Sequence, residues 1–311
     1  MRHVHDWVRG TCLAVTAVAV LAVPALVRGE PLVTATPPRP LGKGSVVVLR
    51  HPASSHETQP AAHDPQAGEP GDLLIHFHGA VDTVRQAMER AGGATTVVVV
   101  NQPGLSAAYS TPFREDPGLF NRLLAEPWRD TSDDAPAIPP RWHRVTLSCF
   151  SAGYGAVREI HTPADGLARV DAIVAADSIY AGIDEQATKT GDRQVDARDM
   201  AAFLAFAEQA AAGTKVFVIS HSSQPTPYAS TTETADYLLG RLGLQRTPLE
   251  PPPGEEFSRV SHARRGGFEV EGFTGASGPA HLFHLRSLDR WWKSAERLST
   301  PAGESRSGHV D

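Results

Sequence analysis

Arg144-Val145-Thr146-Leu147-Ser148-Cys149-Phe150-Ser151-Ala152-Gly153-Tyr154-Gly155 is the stretch whose reading decides the fold. Its first six residues form an apolar-rich run of strand length, and a helical pattern follows from Ala152 to Ile160. Ser151 at that junction stands on a sharp strand-to-helix turn. Cys149 and Gly153, two residues before and two after it, are small enough for strand and helix nearly to touch. The turn lifts the hydroxyl clear of the sheet and aims the Ala152 backbone N–H toward a developing oxyanion. Gly155 keeps the helix slim against the sheet.

Outward from this junction, strands and helices alternate. Strands are expected at Ser45–Arg50, Leu73–Phe77, Thr96–Val100, Val170–Ala176, Lys215–Ser220 and Phe268–Gly272. The four valines of 97–100 read as a strand buried on both faces. Helices are expected at Val81–Ala91, Gly118–Glu126, Ala197–Ala212, Thr232–Leu242 and Leu282–Leu298, with Gly213 and Gly243 as stops. In the last of these Trp291 is expected in the core and Trp292 partly exposed. Such alternation implies an α/β fold, a mostly parallel central sheet with helices on both faces. Active sites in such sheets lie beyond the carboxyl ends of the strands.

On the Ser151 turn, and on His78-Gly79 closing the strand LLIHF, the chain resembles the α/β-hydrolase family. The resemblance spans roughly residues 72–297. It implies a Ser-His-Asp triad in the order nucleophile, acid, histidine. Cys149 stands where the family has glycine. The strand after Val170–Ala176 ends in His221-Ser222-Ser223-Gln224 without a carboxylate, so Asp177, ending the strand before it, is the implied acid; Glu233 and Asp236 fall inside the next helix. Among His262, His281, His284 and His309, the resemblance selects His281 as base, after the loop Gly275–Ala280, with His284 second. The oxyanion donors it implies are the backbone N–H groups of Ala152 and of Ala80 or Val81. His78, Gly79, Gln102 and Tyr109 are the expected substrate-side residues. No cofactor is required. The polar segment Asp184–Asp199 is expected to form a small lid or an open cleft.

The remaining features bound the function. The 311 residues carry a formal net charge of −6 and no Lys/Arg run, so nucleic acid is not an expected partner. Met1–Arg9 contains Arg2 and Arg9, and an apolar run from Cys12 to Val27 leads to small residues near Gly29. This is the pattern of a secretory signal over residues 1–29, and the run is shorter than the ~20 residues of a membrane span. The expected organisation is 1–29 signal, 30–71 Pro/Gly-rich segment with one strand and a long loop, 72–299 catalytic domain and 300–311 tail. Cys149 would be the lone cysteine of the exported chain, which excludes an intrachain disulfide. The expected function is an exported serine hydrolase acting on small carboxylic esters. Three alternatives share these residues: an amidase or peptidase with the same triad, a metal-dependent hydrolase built on His76, His78 and His221, and a non-catalytic binding protein on the same fold.

Overall fold

The computed structural model describes residues 33–35, 44–49, 71–92, 95–125, 142–161, 168–189 and 193–300. All belong to one unit, Leu32–Asp311. The expected signal 1–29, most of the loop 51–71, His309 and the tail beyond Thr300 lie outside the described residues.

The strands are β1 (Val33–Ala35), β2 (Ser45–Leu49), β3 (Asp72–Phe77), β4 (Thr96–Asn101), β5 (Arg144–Ser151), β6 (Ala172–Ser178), β7 (Val216–His221), β8 (Thr247–Pro248), β9 (Arg259–Arg265) and β10 (Phe268–Phe273). The helices are α1 (Val81–Ala91), α2 (Ser106–Glu115), α3 (Leu119–Ala125), α4 (Tyr154–His161), α5 (Glu185–Thr188), α6 (Ala197–Ala211), α7 (Thr231–Arg241), α8 (Gly278–Arg286) and α9 (Leu288–Ser299). One sheet runs β1-β2-β4-β3-β5-β6-β7-β10-β9-β8. Its six central strands, β4 to β10 in that order, are parallel. Antiparallel strands close both edges. The architecture is therefore α/β, with a mixed, mostly parallel sheet.

Two apolar layers cover the sheet. Val98, Val100, Leu147, Cys149 and Phe217 face one layer, with side chains of α2, α3, α4, α6 and α7. Val97, Val99, Phe150, Val174 and Val218 face the other, with α1, α8 and α9. The valine strand is thus buried on both faces, as its composition predicts. Each fully buried valine contributes roughly 1.5 kcal/mol or more of transfer free energy.

From β3 the chain moves outward to β4, then returns past β3 to β5 on the other side. The carboxyl ends of β3 and β5 therefore flank a topological switch point, where such sheets open a crevice. His78-Gly79 and Ser151 are the residues at those two ends.

Several elements differ from expectation. The expected strand of the 30–71 segment is present as β2, and a further short strand, β1, pairs with it at the edge of the sheet. Residues 106–115 form a helix despite Pro112. Arg259–Arg265, which holds the histidine candidate His262, is a strand that pairs with β10. The expected last helix is two helices meeting at Ser287. Trp292 is buried along with Trp291, because its indole N–H donates to Ser148 Oγ at 3.0 Å.

Candidate active site

Among the described residues, four non-glycine residues have positive φ: His78 (72°), Ser151 (46°), Asp177 (40°) and Ile179 (73°). All stand at or just past the carboxyl ends of β3, β5 and β6. Such conformations cost of order 1–3 kcal/mol each and persist only where the surroundings impose them. The structure thus gathers its strain around Ser151, Asp177 and the turn that follows β3.

At Ser151, β5 breaks register with β6, and Ser178 Oγ donates to the Ser151 carbonyl at 2.7 Å. Gly153 follows against β3; a Cβ there would lie 2.7 Å from the Phe77 carbonyl carbon. Only glycine permits that approach. Cys149 is buried and its thiol is pushed up to about 12 by burial, so it is a packed thiol and not a nucleophile. The Ser151 hydroxyl makes no hydrogen bond among the described residues. Catalytic contacts in ligand-free structures are commonly open in this way and close on substrate.

Asp177 is fully buried and both of its oxygens are hydrogen-bonded. Oδ1 accepts from the Ser222 N–H at 2.9 Å and from Thr231 Oγ1 at 2.6 Å; Oδ2 accepts from His281 Nδ1 at 2.7 Å. Burial by itself would raise this carboxyl, but the hydrogen bonds from His281 and Thr231 outweigh it and hold it well below the usual range. Thr231 is placed by a capping box at the start of α7, in which Ser230 and Glu233 exchange hydrogen bonds. His281 sits in the first turn of α8, whose start is fixed by the Ser277 cap and Pro279. It is therefore on a helix and not in the preceding loop. An ionised Asp177 obliges His281 to carry its proton on Nδ1, which leaves Nε2 as a lone pair. The His281 ring lies over Phe150, the neighbour of Ser151, with centroids 4.4 Å apart.

The turn His78–Ala80, expected to carry an oxyanion donor, is set by His76 and His78. Burial holds His76 at about 3 and His78 at about 4, so both are neutral at pH 7. His76 Nε2 donates to the His78 carbonyl at 3.0 Å, so its Nδ1 accepts from Ser148 Oγ at 2.9 Å. Trp292 Nε1 completes the chain by donating to Ser148. The His78 ring stacks on Phe150 at 5.9 Å and meets the Tyr109 hydroxyl at 2.8 Å through Nδ1. The backbone N–H groups of Ala80 and Ala152 have no acceptor among the described residues. These are the two donors expected for an oxyanion.

The other expected residues have mixed placements. Tyr109 is buried; its hydroxyl ties Gln102 N–H and Asn101 Oδ1 to His78. The Gln102 side chain packs over Gly44. His284 is fully buried, with Nδ1 on Ser220 Oγ at 2.8 Å, and braces α8 on β7. His76, His78 and His221 do not come together as a ligand set; among the described residues only His262, Glu269 and Glu271 place ligand atoms within 4.8 Å of one another. Those carboxylates are held by Arg259, Arg290 and Ser294. Sequence reasoning missed the Thr231 and Ser148 contacts, which link residues 54 and 72 positions apart.

No protein-family model and no curated protein sequence matches this chain. Among solved structures it is similar to an uncharacterised protein from Capnocytophaga ochracea, with 10% identity and a TM-score of 0.46. The match covers 88% of this chain and 66% of that one. No helix among the described residues is long and apolar enough to cross a membrane.

Proposed function

We propose that the chain is a serine hydrolase of the α/β-hydrolase type that cleaves carboxylic esters. The observation that carries this reading is the buried Asp177 carboxylate holding His281 Nδ1 at 2.7 Å beside a serine strained to φ 46° at a switch point. Ser151 Oγ attacks the acyl carbon and passes its proton to His281 Nε2. The tetrahedral oxyanion is met by the N–H groups of Ala80 and Ala152. His281 then protonates the departing alcohol, and the C–O bond breaks to leave an acyl-serine. Water, deprotonated by His281, attacks that ester; the acid leaves and Ser151 regains its proton. Asp177 remains ionised and stabilises the imidazolium at each step.

An ester with an apolar portion is favoured by the rim. Among the described residues the large hydrophobic side chains left exposed are Leu105 and Tyr228. They stand on the loops after β4 and β7, at the same end of the sheet as Ser151. Tyr228 packs on Tyr180, and Tyr180 on Tyr154, giving an aromatic row between the acid and the nucleophile turn. Export rests on residues 1–29 alone.

The test is covalent labelling of the purified protein with a fluorophosphonate, read by peptide mass spectrometry. The expected adduct is on Ser151, lost in Ser151→Ala and in His281→Ala, with p-nitrophenyl butyrate hydrolysis lost in parallel. A folded wild type that takes up no label, or labels elsewhere, overturns the reading.

A further inference from the structure

The peptide between Ser151 and Ala152 carries the carbonyl of the strained serine and the N–H that the hydrolase reading assigns to the oxyanion. The peptide is trans, so these two groups point in opposite directions. Whatever holds the carbonyl therefore aims the N–H. The turn itself does not hold it. The carbonyls of Phe150, Ala152 and Gly153 accept from the N–H groups of Gly153, Gly155 and Ala156 at 2.9, 3.2 and 3.2 Å. In that series the Ser151 carbonyl is passed over, and it accepts instead from the Ser178 hydroxyl of β6 at 2.7 Å.

Ser178 reaches the carbonyl because β6 carries one residue more than β5 at this point. Phe150 pairs with Ala176 but Ser151 pairs with Ser178, so Asp177 bulges out without a partner on β5. A shift of one residue turns a side chain to the other face of a sheet. The bulge, with φ 40° at Asp177, thereby sends the carboxylate to His281 and the next hydroxyl to Ser151. Ser178 is fully buried. The Cys149 thiol lies in hydrogen-bonding reach of its oxygen, and burial keeps that thiol protonated. Ser178 spends its one proton on Ser151, so the thiol is the donor and the Ser178 oxygen the acceptor. Thiol, hydroxyl, carbonyl and N–H form one chain of dipoles in a dry interior, where each link polarises the next.

We infer that Ser178, with Cys149 behind it, is a positioning residue that fixes the 151–152 peptide so that the Ala152 N–H faces the tetrahedral oxyanion. The inference rests on the hydrolase reading. It also gives Cys149 a task that glycine, which the family resembled by this chain has there, could not perform.

The test uses the full chain with Ser178→Ala, Ser178→Cys and Ser178→Thr, and Ser294→Ala as control. The control removes a buried hydroxyl of α9 that bonds to Glu269 and not to the turn. The readouts are kcat and KM on p-nitrophenyl butyrate and the rate of fluorophosphonate labelling at Ser151, each per folded molecule, beside thermal melts. The oxyanion exists only after attack, so a misaimed Ala152 N–H lowers kcat and leaves KM alone. Ser178→Ala should slow kcat and labelling by about 10- to 10²-fold, less than the ~10²- to 10³-fold of losing a whole donor. Ser178→Thr keeps the hydroxyl and should recover most of the loss, while Ser294→Ala keeps both rates. If Ser178→Ala does not fold, Ser178→Cys decides, because a thiol of similar size is only a weak donor and should also be slow. A folded Ser178→Ala or Ser178→Cys with wild-type rates, a loss seen in KM alone, an equal loss in Ser294→Ala, or a folded Ser178→Thr no faster than Ser178→Ala would each overturn the inference while leaving the hydrolase reading standing. A folded wild type that takes no label removes the hydrolase reading and this inference with it.

Discussion

Gly153→Ala tests whether the close approach of the nucleophile turn to β3 sets the chemistry. A Cβ at 153 would lie 2.7 Å from the Phe77 carbonyl carbon and 2.9 Å from its Cβ, and nearer still to its carbonyl oxygen. Carbon–carbon contacts settle at about 3.5–4.0 Å, so β3 and the turn must separate by roughly 1 Å. The obstacle is backbone and cannot rotate aside. Phe77 leads directly into His78, Gly79 and Ala80, so the displacement moves one oxyanion donor away from Ser151. Misplacement of about 1 Å costs on the order of 10²-fold in rate, and the overpacking costs about 1–3 kcal/mol of stability. For a domain of this size that lowers Tm by about 3–10 °C. Gly267→Ala is the control: its Cβ would crowd the Lys215 backbone at the opposite end of the sheet. It should lose similar stability while keeping kcat near wild type per folded molecule. Initial rates on p-nitrophenyl butyrate, beside thermal melts, decide the matter. A folded Gly153→Ala enzyme with wild-type kcat, or an equal loss of kcat in Gly267→Ala, would refute the argument.

Asp177→Asn removes the charge that fixes His281 with its proton on Nδ1 while keeping the shape of the side chain. It should lower kcat by about 10³- to 10⁴-fold with KM little changed, and a loss under about tenfold would remove Asp177 from the triad. Acid should unfold the protein cooperatively. Burial holds His76 at about 3 and His161, His221 and His284 at about 4, whereas in an unfolded chain each titrates near ~6.5. The unfolded chain therefore binds more protons between these values, and stability is full above about pH 6.5 and falls as pH drops. Each histidine contributes up to about 1.4 kcal/mol per pH unit, so the four together rival a typical total of about 5–15 kcal/mol within one to two units. Asp177, with its depressed pKa, adds stability that is present above about pH 4 and lost below it. Urea titrations at pH 7.5 and pH 5.5 followed by circular dichroism should show a lower midpoint at pH 5.5, and equal midpoints would mean the histidines are not buried neutral.

What the sequence discloses is what short-range chemistry determines. The sharp turn at Ser151 shows because one residue, Gly153, must be small for a backbone approach. Asp177 shows because an apolar strand ends in a carboxylate, and the α8 start shows in Ser277 and Pro279. The parallel core shows through Val97–Val100, which has no polar face to turn outward. What stays hidden depends on partners distant in the chain. Arg259–Arg265 is dense in charge and has no apolar run, yet it is strand because β10 offers an open edge for its backbone. Helix α2 is masked by Pro112 and a weak apolar pattern, and is held by packing on α4. His284 is indistinguishable from a surface histidine until Ser220, 64 positions earlier, accounts for its Nδ1.

The same dependence explains how the site tolerates its strain. His78 holds φ 72°, a conformation uncommon for any residue with a Cβ, and its own ring is committed to Phe150 and Tyr109. Its carbonyl is fixed from behind by His76, which is oriented by Ser148, which is oriented by Trp292. Each of these bonds contributes on the order of 1 kcal/mol net, together enough to offset a strained residue. The links through Ser148 are buried, so water does not compete for them. Trp292 on the last helix is therefore coupled to the His78 carbonyl through Ser148 and His76. Packing of α9 on one face of the sheet and the conformation of the turn after β3 are one structural requirement.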